Sequence, residues 1–470
     1  MREKEVVFLP VRQLGELIRT REVSPVELTE IFLKRLETLG PQYNAVVTVT
    51  RERAVEEARE AEKEIAAGQY RGPLHGIPYG VKDLLATSGS IPTTWGAAPL
   101  RHQTFDYDAT VILKLRSAGA ILTAKLAMIE LAGGMGYRQP NASFTGPCST
   151  PWNRNAWSGG SSSGSGASVA AGLVPFAIGS ETWGSIMSPA ANCGVAGLRP
   201  TYGRVSRYGA MALCWTLDKL GPLCLTADDC GLVLEAIAGP DPNDPSTSSQ
   251  PYRYDAHDSP SRRFKLGLLK NATEGAQDAV RGNFEQSLKV FESFATIEEV
   301  DLPDFPYEAV TRTILSAEAA SAFDEFIESG KAAELTAPED HYGGFARTVV
   351  LAKDYLRALR IRGLMAKAID EFLSHYDAIV ALNRLAVASP IDQEFPSAVR
   401  GGSGRRDPLG AVGNGAGLPS ISVPNGFGER GLPTAIQFVG RAYEENTILA
   451  IARRYQQETN WHMQHPPGLV

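Results

Sequence analysis

The chain is poor in the residues from which most metal and histidine-based sites are built. It has seven histidines and five cysteines among 470 residues. No HExxH, CxxC or other metal-ligand spacing occurs, so neither a metal nor a cofactor is expected. The cysteines, at 148, 193, 214, 224 and 230, are odd in number, which fits reduced thiols better than a disulfide framework. No Lys/Arg block stands out and the net charge is -7, so nucleic acid is not expected as a partner. No apolar run approaches the roughly 18 residues needed to cross a bilayer. The N-terminus, MREKEVVFLPVRQLGELIRT, lacks the apolar core of a signal peptide. These absences describe a cytoplasmic protein without a membrane segment.

Apolar residues make up 43% and charged residues 21%, ordinary values for a globular fold with a sizeable core. Ser24-Pro25-Val26-Glu27 is a helix start: Ser24 caps, Pro25 suits the first helical position and Glu27 lies three residues on. Leu28, Phe32, Leu33 and Leu36 then share one face. A second helix, charged on most faces, is predicted over about 51–67. From Gly76 to Gly239 short apolar runs alternate with glycine-rich turns, as in GIPYGVKDL and AAGLVPFAIGSE, which predicts buried strands alternating with helices. RFKLGLLKN, YDAIVAL and GLPTAIQFVG read as strands. Residues 307–330, 344–375 and ENTILAIARRYQQET read as helices. Residues 396–417 read as a long glycine-rich loop. The division expected is an N-terminal helical segment, 1–70, packed on a single large domain, 71–470, with a helical excursion at about 240–375.

One stretch, SGGSSSGSGAS at 158–168, admits several readings. A flexible linker needs solvated flanks, yet this stretch runs straight into the small, apolar ASVAAGLVPFAIGS. Residues 160–164, GSSSG, match a nucleophile elbow with Ser162 at its centre. That reading needs a strand just before it, where STPWNRNAWSGG looks irregular, and a histidine partner. No P-loop occurs, and the dinucleotide fingerprint fails because Gly164-x-Gly166 is followed by Val169.

A third reading joins the stretch to two other blocks, GIPYGVKD at 76–83 and GSETWGSIMSPAA at 179–191. Together with the late GLPTAIQFVGRAYEE, these resemble the amidase signature family from about residue 20 to the end. The resemblance implies an α/β fold, one large domain with a central mixed β-sheet covered by helices on both faces. It also implies amide hydrolysis by a Ser-cisSer-Lys triad. Matched position by position, Ser185 is the nucleophile, Ser161 the bridging serine preceded by a cis peptide, and Lys82 the base. The backbone N–H groups of Thr182, Trp183, Gly184 and Ser185 become the oxyanion hole. Gly133, Gly134 and Tyr137 fall in a region that lines the site, and the loop bearing Arg405 and Arg406 borders its entrance or is simply solvated.

The chemistry is consistent with these residue types. A serine hydroxyl needs a base to take its proton. A lysine serves only when neutral, which requires burial away from carboxylates. Lys82 lies in an apolar strand-like run, and in an extended segment Asp83 points to the other face. The alternative for Lys82 is a structural salt bridge.

The chain departs from the family pattern, which is closer to Asp-Thr-Gly-Gly-Ser-Ile-Arg around the nucleophile. Here Glu181 replaces the aspartate, Trp183 a glycine, and Met187 the arginine, so Glu181 needs another partner. The Trp183 indole either shapes the acyl pocket as a substrate-binding wall or fills the core beside the loop. From Trp183 the expectation is an aryl acylamidase or a hydrolase of bulky apolar amides, extending to carbamates as a urethanase. It would act as a monomer or homodimer on a small-molecule amide or carbamate. The alternative is the glutaminase-type A subunit of a glutamyl-tRNA amidotransferase complex.

Overall fold

Strand formation follows the apolar runs. In a computed structural model, which describes residues 3–136, 138–257, 262–395 and 407–469, thirteen strands form. They are β1 (Val46–Val49), β2 (Pro78–Lys82), β3 (Ile121–Leu126), β4 (Ser149–Thr150), β5 (Asn153–Trp157), β6 (Phe176–Glu181), β7 (Ala196–Arg199), β8 (Lys219–Cys224), β9 (Phe264–Leu269), β10 (Ala295–Val300), β11 (Ala378–Leu382), β12 (Ser420–Phe427) and β13 (Pro433–Val439). Eleven of them make one sheet in the order β1-β3-β2-β6-β8-β7-β12-β13-β11-β9-β10, while β4 and β5 pair separately. The sheet is mixed: β2 runs parallel to β3 and β6, whereas β6 is antiparallel to β8 and β12 to β13.

Every residue of β2, β3, β6, β7, β8, β11 and β13 is buried. Alternate residues of a strand face opposite sides, so both faces of the central sheet are covered. The edge strands β1 and β10 are only partly buried. The protein is thus a single large α/β domain whose eleven-stranded sheet is flanked by helices. Each fully buried Leu, Ile or Val on it contributes roughly 1.5–3 kcal/mol of apolar transfer.

The helix predicted after Ser24 spans Pro25–Thr38, and the Ser24 hydroxyl accepts the Glu27 N–H at 3.0 Å. Helices also form over Arg51–Ala66, Tyr307–Ala322, Ala352–Leu373 and Glu445–Glu458. Several segments differ from the sequence reading: β1, inside the 1–70 segment expected to be helical, and β10, inside the expected helical excursion, form the two edges of the main sheet. Asn153–Trp157, taken as irregular, is a strand because it closes a tight pairing with β4. Gly410–Gly415, taken as loop, is a short helix despite its three glycines; it is buried and packs on the helix Tyr307–Ala322, and that tertiary packing outweighs its weak helix propensity.

The serine-glycine stretch is rigid and buried. Ser163–Ala170 is a helix in which every residue is buried. A side chain at 164 would lie 2.3 Å from the Ala45 carbonyl and 2.4 Å from the Ala127 nitrogen. One at 166 would lie 2.9 Å from Pro189. Small residues are required here because backbone meets backbone.

Candidate functional site

Parallel neighbours β2 and β6 end side by side, which brings their last residues together. Lys82 closes β2, and Ser180 and Glu181 close β6. Between them the chain enters from the Gly160–Ser161 peptide, which is cis. Lys82 Nζ lies 2.7 Å from Ser161 Oγ and 2.9 Å from Ser180 Oγ, with its side chain fully buried. Burial pushes this amine down to about 7, while Asp218 and Glu181 pull against that shift. Its partners among the described residues are hydroxyls, not carboxylates, so Lys82 can be neutral near neutral pH.

Asp83 turns away, as strand alternation requires. Its carboxylate lies 3.2 Å from Lys125 Nζ and accepts the Thr94 N–H at 3.0 Å. Ser162, the elbow candidate, is occupied by structure. Its hydroxyl donates to the Ser180 carbonyl at 3.1 Å and accepts the Ser180 N–H at 3.2 Å. The Ser162 N–H in turn donates to the Ser185 carbonyl at 3.3 Å, which seats Ser185 beside the cis peptide.

Ser185 ends the 182–185 turn and is 8% exposed. Among the described residues, the N–H groups of Trp183, Gly184 and Ser185 meet no protein acceptor. They are free to face an oxygen outside the chain. The Thr182 hydroxyl donates to Asp218, and the Ser188 N–H donates to the Gly184 carbonyl at 2.8 Å, starting the helix Met187–Cys193.

The partner that Glu181 needs is Arg199, at the end of β7. Arg199 Nη1 lies 2.8 Å from Glu181 Oε1, and both side chains are fully buried. Burial alone would raise the Glu181 carboxyl, but Arg199 and Lys219 hold it down at about 2. Sequence reasoning missed Arg199 and Ser180. The signal for Arg199 was an arginine inside a fully apolar strand, AGLR, which requires a buried carboxylate.

Trp183 is half-buried rather than a core filler. A side chain at Gly410 would lie 3.0 Å from its Nε1, and the Arg312 guanidinium sits 5.4 Å from its ring centre. Its flank is thus cationic, not the open apolar wall expected from sequence. Beside it Asp407 has a buried Oδ2 with no hydrogen-bond partner among the described residues, and burial pushes this carboxyl up to about 6.

A cleft opens next to Ser180 and Thr182, lined also by Leu84, Ala132, Met211 and Trp215. Among the described residues of the 131–137 segment, it is Ala132 that lines the cleft. Gly134 instead packs on Phe323, since a side chain there would lie 2.2 Å from that ring, and the Gly133 carbonyl lies 3.4 Å from Arg347 Nη2. Tyr137, Arg405 and Arg406 lie outside the described residues.

Residues 27–449 match the Amidase family. The chain belongs to the amidase signature family. It is 36% identical over 490 residues to the A subunit of the glutamyl-tRNA(Gln) amidotransferase of Carboxydothermus hydrogenoformans, covering 98% of this chain and 99% of that one. Among solved structures it is similar to the native peptide amidase of Stenotrophomonas maltophilia, with a TM-score of 0.84 and 30% identity over 98% of both chains. It is also similar to the A subunit of the glutamyl-tRNA(Gln) amidotransferase of Thermotoga maritima, with a TM-score of 0.81 and 28% identity over 99% of this chain and 98% of that one.

These relatives correct two expectations. The aryl-amide or carbamate hydrolase is overturned, because the curated relatives at 34–36% identity over nearly the full chain are amidotransferase A subunits and the inference had leaned on one residue, Trp183. A monomer or homodimer acting on a small molecule without nucleic acid is overturned by the same likeness to one component of a tRNA-directed enzyme. The absence of a Lys/Arg block and the net charge of -7 had excluded nucleic acid, but charge composition reports on one chain alone. Among the described residues no helix is long and apolar enough to cross a membrane.

Proposed function

We propose that the protein is the glutaminase-type A subunit of a glutamyl-tRNA amidotransferase complex. The observation that carries this reading is likeness to such subunits along essentially the whole of both chains. Companion subunits and a glutamyl-tRNA are then the partners, and glutamine is the source of ammonia.

In this reading Ser185 Oγ attacks the side-chain carbonyl of glutamine. Neutral Lys82 takes the hydroxyl proton through Ser161, whose Oγ lies 2.7 Å from Nζ. The developing oxyanion is met by the backbone N–H groups of the 182–185 turn. The C–N bond breaks and ammonia leaves with the relayed proton. Water then adds to the acyl carbonyl as its proton passes through Ser161 to Lys82; the C–Oγ bond breaks, the proton returns from Lys82 through Ser161 to Ser185 Oγ, and glutamate leaves with the serine hydroxyl and neutral lysine restored. Trp183 retains its N–H, so the replacement of glycine leaves this donor in place. Gly133 and Gly134 adjoin Ala132, which lines the cleft, and Trp183 contributes its backbone N–H while its ring stands against Arg312.

The test measures glutamate release from glutamine by the chain, with and without companion subunits and glutamyl-tRNA, beside Ser185→Ala. Release that rises in the complex and vanishes in the variant supports the reading. Release of ammonia from a peptide amide but not from glutamine would move it to a peptide amidase.

A further inference from the structure

The Glu181 carboxylate joins three separate segments. Oε2 accepts the N–H groups of Ile186 at 2.8 Å and Met187 at 3.0 Å. Oε1 accepts Arg199 Nη1 at 2.8 Å and Asn414 Nδ2 at 3.1 Å. The first pair closes a loop: residue 181 holds residues 186 and 187, so the intervening turn has its two ends fastened to one side chain. The second pair anchors that side chain to β7 and to the helix Gly410–Gly415.

Arg199 is itself fixed. Its Nε donates to the Leu418 carbonyl at 3.0 Å, and a side chain at Gly413 would lie 2.4 Å from its Nη2. The guanidinium is therefore clamped between Glu181 and the 413–418 backbone, and glycine at 413 makes the space. Asn414 is also fully buried and donates to the Gly410 carbonyl at 2.9 Å.

We propose that Arg199 is a positioning residue for the 182–185 turn, supplying through Glu181 the cation that the family pattern places at 187 and that Met187 removes. The inference rests on the reading of that turn as the oxyanion hole. Oxyanion donors act only when held within about 0.5 Å of their place. Buried ion pairs seldom add net stability, so a pair kept here between two fully buried side chains is explained by the geometry it imposes. A Glu181 without its arginine would keep Lys219 as its compensating cation, which makes no ion pair with it among the described residues, so its carboxyl would hold a proton more readily and its charge-assisted bonds to Ile186 and Met187 would weaken. The turn would then be free to change shape while the side chains of Ser185, Ser161 and Lys82 are all still present.

The experiment uses the full chain and a fluorophosphonate, which reads the serine and its oxyanion turn whatever the natural amide is. The parent is expected to be phosphonylated at Ser185, located by peptide mass mapping. Arg199→Met is expected to label about 10²-fold more slowly, the scale of a lost oxyanion donor. Adding Met187→Arg in that background, which returns the cation to its usual position, is expected to restore at least about tenfold of the rate. With glutamine, the loss should fall on kcat, with KM within about twofold. If Arg199→Met does not fold, Arg199→Lys and Asn414→Ala carry the same comparison, each expected to label more slowly than the parent. Parental labelling in Arg199→Met, or in both milder variants, overturns the proposal and leaves Ser185 as nucleophile. A folded, slow Arg199→Met that Met187→Arg does not rescue also overturns it, because a diffuse packing defect has no reason to respond to a cation at 187. A parent unlabelled at Ser185 overturns this inference and the oxyanion reading together.

Discussion

Lys125 Nζ lies 3.2 Å from the Asp83 carboxylate, on the side of β2 away from Lys82. Two lysines at equal depth thus have opposite circumstances: one is paired, while the other has hydroxyl partners among the described residues. Lys125→Met leaves Asp83 buried and unpaired and is expected to destabilise the fold by about 3–5 kcal/mol. Lys82→Met removes a buried amine held by hydroxyls alone and is expected to leave stability unchanged or raised, while abolishing turnover. Chemical denaturation of both variants checks this, and equal destabilisation would contradict it.

Burial holds the Lys82 amine down at about 7, so with Lys82 as the proposed base a pH limb is expected there. The rate should rise with pH through about 7 as the amine becomes neutral. The sign for stability follows from linkage: the unfolded chain binds this proton up to the ordinary lysine range and the folded chain does not. The contribution is therefore fully present above the unfolded value and is lost as pH falls through about 7. A pH–rate profile of Ser185 phosphonylation reads the limb directly, and a flat profile between pH 6 and 8 would exclude Lys82 as the base.

Glu130 accepts the N–H groups of Thr336 at 2.8 Å and Ala337 at 3.0 Å, and the fully buried Asp340 carboxyl faces it. Burial, then the charges of Glu130 and Glu339, push the Asp340 carboxyl well above its usual range. A raised carboxyl gives stability below the unfolded value that is lost as pH rises towards the folded one. Asp340→Asn keeps the shape without the charge, so its melting temperature should exceed that of the parent increasingly from pH 4 to pH 8. A constant difference across that range would refute the assignment.

Glycines differ by surroundings. Gly164→Ala would push a methyl into two backbone groups and is expected to cost about 3 kcal/mol or more. Gly282→Ala lies in the helix Asp278–Phe291 with nothing within 4 Å of the added carbon. It is expected to stabilise by about 0.5–1 kcal/mol. Thermal melts of the two single variants give the comparison.

Much of this was legible from the chain because local signals carry it. The cap at Ser24 and the apolar runs of β2, β6 and β13 each state their conformation within a few residues, whereas the helix Ser163–Ala170 inside the serine-glycine stretch was not read from the sequence. The fold brings together the blocks containing Lys82, Ser161 and Ser185, named from the sequence as a candidate site. Local signals also misled. Three glycines hid the helix Gly410–Gly415, whose stability comes from its neighbours. A single tryptophan suggested an apolar substrate, although Arg312 lies over its ring.

The sequence by itself determined several of the buried strands, among them β2, β6, β9, β11 and β13, and, through its resemblance to the family, that Glu181 lacks the arginine of that pattern. Only the tertiary structure decided what replaced it. Arg199 reaches Glu181 because β8, paired to both β6 and β7, sets their separation in the sheet, and Asn414 arrives from more than 200 residues away. No local pattern encodes such a meeting, because strand order and crossover, not neighbouring residues, set the distance between the charges.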